Sequence, residues 1–338
     1  MKTPRFWYTS SPSLTAHLLR PGAWMYDAGR RVHRAGAGRR PYCPHVPTVC
    51  LGNVTAGGAG KTPTAIALAG LFRREGSTPV FVTRGYGGDL RGPVRVDPAH
   101  HTAREVGDEA LLLAAVAPCW KGTDRPEALR AAEAEACLSG EVLIVDDGLQ
   151  NPTFRATCNL LVVDGGVGFG NGRLLPAGPL REPPDEALAR CAGTILIGED
   201  QTNVAPRLAS KPLVRARLVP DFGAEPPPAG PVLAFAGIGR PAKFYALCRA
   251  AGIQVVATHD FPDHYAYGPN DRDGLIAEAR ALGARLVTTA KDAVRWAPDD
   301  RKSLFVLNIR LIFDDETVVR AILGAPFFNA LSTSNNKK

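Results

Sequence analysis

Apolar residues in this chain fall into short unbroken runs, separated by stretches in which they recur at helical spacing. Positions 46–51 read Val-Pro-Thr-Val-Cys-Leu, a β-branched apolar run that predicts a buried strand. Just downstream, Ala65, Ile66, Leu68, Ala69, Leu71 and Phe72 recur at the period of a helix. The alternation then repeats, with strands predicted at 79–83, 141–145, 160–164 and 194–197 and helices near 107–117 and 124–138. Strands buried on both faces and alternating with helices indicate a parallel sheet with helices on either side. The pattern breaks near 221–230, where Pro226, Pro227 and Pro228 make a semi-rigid connection. A shorter series follows, with strands at 232–236, 253–257 and 285–289 and helices near 241–251 and 271–282. The organisation expected is a segment 1–40, a main α/β domain 41–220, a smaller α/β lobe 221–330 and a disordered tail 331–338. No internal repeat of fixed period is present.

Composition changes this picture little. The 338 residues suffice for two cores, and 45% hydrophobic with 22% charged residues is ordinary for a globular protein. No apolar run approaches the roughly 18 residues that span a bilayer, and the N-terminus lacks the compact apolar stretch of a secretory signal. Seven cysteines without a Cys-x-x-Cys pair argue against a disulfide framework or a zinc knot and fit a reducing cytosol.

Charge is informative once located. Residues 1–40 carry Lys2, Arg5, Arg20, Arg30, Arg31, Arg34, Arg39 and Arg40 against Asp27 alone, which equals the +7 of the whole chain. Phe6, Trp7, Tyr8, Trp24 and Tyr26 lie among them, with Leu14, Leu18 and Leu19 at helical spacing. Basic residues mixed with aromatics and leucines suit an anionic membrane surface. A solvated arm and a nucleic-acid contact are the alternatives, and no recognised nucleic-acid motif accompanies the segment.

Residues 52–63 read Gly-Asn-Val-Thr-Ala-Gly-Gly-Ala-Gly-Lys-Thr-Pro, a glycine-rich turn between a predicted strand and a predicted helix. Such a turn cradles phosphate oxygens with its backbone N–H groups and the helix N-terminus. Thr55, Ala56, Gly57, Gly58, Ala59, Gly60, Lys61 and Thr62 form the expected nucleotide cradle. Lys61 would reach the β/γ-phosphates and the Thr62 hydroxyl would bind Mg²⁺. The strict pattern asks for glycine at position 55, where this chain has Thr55.

Other residues gain meaning beside that loop. Asp146 and Asp147 close an apolar strand, the place of an acid that holds Mg²⁺; helix capping is the alternative. Asp108 and Glu109 open a helix, either complementing its dipole or supplying a carboxylate that accepts a proton from an attacking hydroxyl. His259, Asp260, Asp263 and His264 form a loop cluster in which a histidine facing the cleft would tune a carboxylate base; a metal site is a weaker alternative. In the long Gly/Pro loop after 164, Arg173 and Arg181 are candidates to clamp an anionic substrate group, against an ion pair with Glu182. Asn171 in that loop, with Arg84 and Tyr86 in the glycine-rich turn 84–88, completes the candidate substrate contacts. His100 and His101 receive no role, and Lys291-Asp292 reads equally as a helix start.

Together these motifs resemble the tetraacyldisaccharide 4′-kinase family, the lipid A 4′-kinases of Gram-negative bacteria. The matching segments are 52–63, 83–88, 107–109, 146–150, 175–182, 261–264 and 289–294, in family order. Leu-Pro-Ala-Gly-Pro-Leu-Arg-Glu and Phe-Pro-Asp-His are the most distinctive, and Thr55 is what this family shows. The resemblance implies a P-loop NTPase-type, mostly parallel sheet flanked by helices, with a second smaller α/β lobe. It implies MgATP-dependent transfer of the γ-phosphoryl group to the 4′-hydroxyl of tetraacyldisaccharide 1-phosphate, giving the lipid A precursor lipid IVA. It places the base at Asp108, assisted by His264, with Lys61 in the catalytic set and Mg²⁺ near Thr62, Asp146 and Asp147. It also implies peripheral attachment to the cytoplasmic face of the inner membrane; from the sequence itself, no nucleic-acid partner is expected and no obligate protein partner is evident.

Three rivals are weighed against this reading. A partitioning-type ATPase would carry a signature lysine where Ala56 stands. A GTP-driven metal-delivery protein would carry Asn-Lys-x-Asp and a Cys/His motif, and neither is present. A kinase for a soluble polar metabolite is disfavoured only by the arm. The arm itself is expected to be separable, so that deleting residues 1–40 weakens vesicle binding and leaves ATP affinity nearly unchanged.

Overall fold

A computed structural model describes residues 4–9, 13–37, 40–136, 141–223 and 225–328. The expected tail 331–338 lies outside the described residues. After a 3-10 turn, Arg5–Tyr8, come two helices, α1 (Leu14–Leu18) and α2 (Arg20–Ala37). The main α/β series is β1 (Thr48–Gly52), α3 (Lys61–Arg74), β2 (Pro79–Thr83), β3 (Val94–Arg95), α4 (Ala103–Val106), α5 (Asp108–Ala114), β4 (Cys119–Lys121), α6 (Arg125–Ala136), β5 (Val142–Asp146), β6 (Cys158–Asp164), α7 (Pro184–Arg190), β7 (Gly193–Ile197), α8 (Ala205–Leu208) and β8 (Leu213–Asp221). The second series is β9 (Val232–Ala236), α9 (Pro241–Ala250), β10 (Val255–Asp260), α10 (Pro269–Ala281), β11 (Arg285–Thr289), α11 (Ala290–Ala293), β12 (Leu304–Phe313) and α12 (Glu316–Leu323).

Among the described residues, the strands join one twelve-stranded sheet in the order β10-β9-β11-β12-β8-β7-β6-β1-β5-β2-β4-β3. Pairing is parallel except at β8/β12 and β3/β4, so the sheet is mostly parallel, as the alternating pattern predicts. Strands β1, β2, β5, β7 and β9 are buried along their full length, which is why they read as apolar runs. Helices cover both faces of the main half: Leu68, Leu71 and Phe72 of α3 pack on one face, Ala128, Leu129 and Ala132 of α6 on the other.

Two positions in the strand order are switch points of the sheet. β1 lies between β5 and β6, and β9 lies between β10 and β11, so the strand order reverses at each. Open α/β sheets leave a crevice outside the carboxyl ends of the strands at such switch points. The loop after β1 is the glycine-rich segment 52–60, and the loop after β9 is Gly237-Ile238-Gly239-Arg240.

The boundary near 220 is less complete than the proline run predicts. β12 pairs in parallel with β11 through Leu304–Leu307, then antiparallel with β8 from Asn308↔Asp221 to Phe313↔Ala216. Leu323 of α12 and Phe327 beyond it enter the core around α3, where Phe327 stacks on Phe72 at 5.8 Å. The end of the stretch assigned to a second lobe therefore returns to the first.

Candidate active site

The phosphate loop leaves β1 and ends at α3, whose N-cap is Gly60 at φ 89°, a left-handed conformation that favours glycine. Among the described residues, none of the Gly57, Gly58, Ala59 and Gly60 amides donates a backbone hydrogen bond. A row of unused N–H groups at a helix N-terminus is a ready anion cradle. Lys61 sits at its rim, donating to Asn53 Oδ1 at 2.8 Å and lying 3.4 Å from Asp147 Oδ1.

The two aspartates after β5 differ. Asp146 is buried, accepts a 3.1 Å bond from the Thr62 hydroxyl through Oδ2, and has no partner for Oδ1 among the described residues. Burial, reinforced by the Glu109 charge and opposed by Lys61, pushes its carboxyl up to about 7. Asp147 stands in a left-handed backbone at φ 56°, uncommon for a residue with a side chain. Burial works against its charge, but Lys61 and Arg181 outweigh it and bring its carboxyl down to about 2.

Across from this loop, Asp108 and His264 meet. His264 Nδ1 lies 3.0 Å from Asp108 Oδ2, an oxygen that Arg295 also grips, while Oδ1 accepts the Glu109 amide at 2.8 Å. Burial raises the Asp108 carboxyl, but the His264 hydrogen bond with Lys291 and Arg295 holds it well below the usual range. The hydrogen bond to Asp108 raises His264 against the opposing effect of burial. His264 Nε2 faces Asp263 Oδ1 at 3.8 Å, beyond hydrogen-bond reach, and the Tyr86 ring lies 5.3 Å from the imidazole. Lys291 pairs with Glu109 at 2.5 Å, and Arg295 also binds Asp292 Oδ1 at 3.0 Å. Lys291-Asp292 thus does more than start α11. His259, by contrast, lies 2.9 Å from Glu278 and does not join His264.

Glycine lets the turn 84–88 press against the start of α5. A Cβ on Gly85 (φ 63°) would stand 2.4 Å from the Val106 carbonyl oxygen, and one on Gly107 (φ 90°) 2.7 Å from that of Tyr86. The buried Lys121 ammonium ties the two together, donating to the Gly88 and Glu105 carbonyls at 3.3 Å each. Arg84 and Tyr86 are left exposed, with the Tyr86 ring beside His264.

The long loop places its residues unequally. Arg181 reaches Asp147 at 3.2 Å rather than pairing with Glu182. Glu182 is fully buried and accepts from Arg34, Arg190 and Gln150 at 2.8–2.9 Å. Asn171 spends its amide on the loop and arm, donating to the Phe6 and Ala177 carbonyls and accepting from the Arg173 amide. Both of its amide donors are thus engaged within the protein, and the second lone pair of Oδ1 is what it keeps for a substrate. Arg173 forms no side-chain ion pair among the described residues.

The arm is not separable as the sequence suggests. Tyr8 lines the small cavity over Ala56 and Gly57 and contacts the Ala56 carbonyl at 3.4 Å. Trp7 donates to Pro176, Tyr26 to the Arg181 carbonyl, and Arg30 and Arg34 to Glu186. Positions 23, 26, 27, 30 and 34 share one face of α2, which is why the segment docks through its polar side. Removing it would disturb both the phosphate loop and the Arg181 loop.

Comparison with known proteins now decides the family. The family model described as tetraacyldisaccharide-1-P 4′-kinase matches residues 15–326. The chain belongs to this family. It is 46% identical to the tetraacyldisaccharide 4′-kinase of Rhodospirillum rubrum over 96% of its length and 97% of the relative's. For the enzyme of the same name from Methylorubrum populi the values are 48%, 96% and 98%. A solved structure of LpxK from Aquifex aeolicus in complex with ATP shares the fold, with a TM-score of 0.70, 24% identity and coverage of 92% and 100% of the two chains.

Within this family member, sequence reasoning missed several residues that line or support the site. Arg295 follows α11 with no motif to mark it. Tyr8 was visible only as one aromatic of a basic arm. Arg240 had a usable signal: Gly-Ile-Gly-Arg-Pro directly after an apolar strand is a second glycine-rich βα turn.

Proposed function

We propose that this chain transfers the γ-phosphoryl group of ATP to the 4′-hydroxyl of tetraacyldisaccharide 1-phosphate, yielding the 4′-phosphorylated lipid A precursor. The observation that carries the reading is the meeting of Asp108 and His264 beside a phosphate loop whose Gly57 to Gly60 amides donate no backbone hydrogen bond among the described residues, with Gly239 next to both Asp263 and Gly58. Gly57 to Gly60 would hold the phosphates, Lys61 would neutralise them, and the cleft would keep water from the transferred group. Exposed Arg84 and Tyr86, together with Arg173, would meet the acceptor, and Arg181 pairs with Asp147.

The geometry favours His264 Nε2 as the atom that takes the hydroxyl proton. Asp108, the base that the family resemblance implies, accepts from His264 and Arg295 through Oδ2 and from the Glu109 amide through Oδ1; were its free lone pair to take the proton instead, His264 would be its orienting partner. A carboxylate bound in this way orients an imidazole and stabilises its protonated form. The chain's donor set also fits Mg²⁺: Thr62 Oγ1 and the orphaned Asp146 Oδ1 would hold it, with phosphate oxygens and water completing the shell. A cation held by these residues would supply neutralisation of the charge that develops on the transferred phosphoryl group.

No described helix is long and apolar enough to cross a membrane. Leu14, Leu18, Trp24, Met25 and Val32 are 66–77% exposed on the arm's outer side, near Arg20 and Arg31. We place this face on the anionic cytoplasmic leaflet, where acyl chains stay in lipid while the sugar enters the cleft. Replacing both Leu18 and Trp24 by glutamate should weaken partitioning to anionic vesicles about tenfold or more. Nucleotide affinity should hold, since neither side chain faces the loop; unchanged partitioning in a sedimentation assay would remove the membrane from the proposal.

The reaction is tested with purified chain, γ-labelled ATP, Mg²⁺ and tetraacyldisaccharide 1-phosphate. Label at the 4′-position is expected, and its absence at any enzyme concentration ends this reading.

A further inference from the structure

The second switch point of the sheet has no assigned role, yet it touches the first. Gly237 to Arg240 leave the carboxyl end of β9, and a Cβ on Gly239 would come within 3.8 Å of the Gly58 amide nitrogen. Arg240 Nη2 donates to the Gly58 carbonyl at 3.0 Å and to the Asp164 carboxylate at the end of β6. Lys243, one turn along α9, donates to the same Asp164 oxygen at 2.7 Å. Asp164 is 5% exposed and its other oxygen accepts the Gly166 amide at 2.9 Å. One carboxylate therefore carries two cations, directly beside a loop of unused amides.

That arrangement is overcharged for a structural latch. Either cation alone neutralises Asp164, so the departure of one leaves no buried unpaired acid. Arg240 has the planar fork suited to phosphate oxygens, whereas Lys243 is a point charge. A residue's own amide nitrogen and carbonyl oxygen lie only about 3–4 Å apart. A guanidinium on the Gly58 carbonyl is thus within a side-chain rotation of a phosphate held by the neighbouring amides. The Arg240 side chain is 28% exposed, so solvent reaches part of it.

We propose that Arg240 is a phosphate-reading arginine supplied by the second lobe, exchanging Asp164 for the terminal phosphate of a nucleotide in the loop while Lys243 keeps Asp164 neutralised. The inference rests on the nucleotide reading of residues 55–62 and is independent of which acceptor is phosphorylated. The contact of the β9 turn with the phosphate loop, already made through Arg240 and Gly58, would then be strengthened by the third phosphate and not by the second alone.

The test is calorimetric titration of full-length wild type, Arg240→Ala and Arg240→Lys with Mg²⁺ and either ADP or a non-hydrolysable ATP analogue, without acceptor. Arg240→Ala should weaken the triphosphate analogue about tenfold or more beyond any loss for ADP, the scale of a charged hydrogen bond. Arg240→Lys should recover part of that difference, and kcat should fall in Arg240→Ala by about 10³, as for an arginine acting in cis. Equal losses for both nucleotides, or a lower melting temperature with unchanged affinities, would overturn the proposal in favour of a simple latch. Failure of wild type to bind either nucleotide would reject the phosphate-loop reading and this inference with it. Normal nucleotide selectivity with no phosphorylated lipid would reject only the acceptor.

Discussion

Replacing His264 by alanine is expected to lower kcat by a factor of about 10²–10⁴, the contribution of a positioned base. The KM for ATP should move little, since the imidazole contacts Asp108 and Tyr86 rather than the phosphate loop. The companion measurement is the pH profile. Protonated His264 cannot accept a proton, so kcat/KM should rise with pH through the imidazole's titration. Its hydrogen bond to Asp108 raises that titration above the ordinary 6.5. Asp108→Asn removes the raising charge, so the midpoint should drop toward the ordinary value while kcat falls. Groups around the imidazole act in both directions: Asp108 and Asp263 raise it, and Lys291 lowers it. If Asp108 were itself the base, its depressed carboxyl would be ionised throughout the neutral range, and activity would be flat there. A flat wild-type profile between pH 5 and 9, at constant KM, would return the base to Asp108 (about the span over which an imidazole near 6.5 titrates).

Lys61→Met should cost about 10²–10³ in kcat, comparable to removing one preorganised donor from a developing charge. Affinity for nucleotide should fall as well, because the ammonium also meets the ground-state phosphates. Lys61 is held on Asn53 Oδ1 and beside Asp147, with its side chain only 10% exposed. Asn53 is itself fixed by donation to the Thr55 carbonyl at 2.6 Å, and Gln150 binds the Asn53 carbonyl at 2.8 Å. The cation is thus stored at the rim by polar contacts that it can exchange for phosphate oxygens. Lys61→Arg should not restore turnover, since the wider fork does not match a site built for a point charge. Single-turnover rates at saturating ATP provide the check, and a Lys61→Met rate within fivefold of wild type would contradict this role.

Much of this site was legible because its parts sit at ends of strands that are apolar throughout. β1, β2, β5, β9 and β11 emerge from the sequence within a residue or two, and the phosphate loop, Asp146 and Asp147 follow at their carboxyl ends. β8 and β12 were not seen. Leu213–Asp221 interleaves Arg215 and Arg217 with apolar residues, and Leu304–Phe313 contains Asn308 and Arg310, since part of each strand faces solvent. α7 was hidden in a proline-rich stretch because Pro184 occupies its first turn, where a missing N–H costs nothing. The pairing of Asp108 with His264 came from the resemblance; spacing alone left both with ordinary alternatives. Arg295 and Lys121 escaped because their partners are distant in sequence, and a lone basic residue in an unremarkable stretch gives no sign of burial.

The return of β12 to the main sheet bears on how the molecule is made. Until the ribosome has passed residue 313, β8 has no outer neighbour, and the core around α3 lacks α12 and Phe327. An emerging chain of some 220 residues would therefore present a bare strand edge and an open apolar face, the features that template aggregation. The β9 to β11 unit must form, and its last strand must cross back, before the nucleotide-binding half is sealed. Catalytic competence thus arrives late in synthesis, with the C-terminal strand acting as the closure of the N-terminal half.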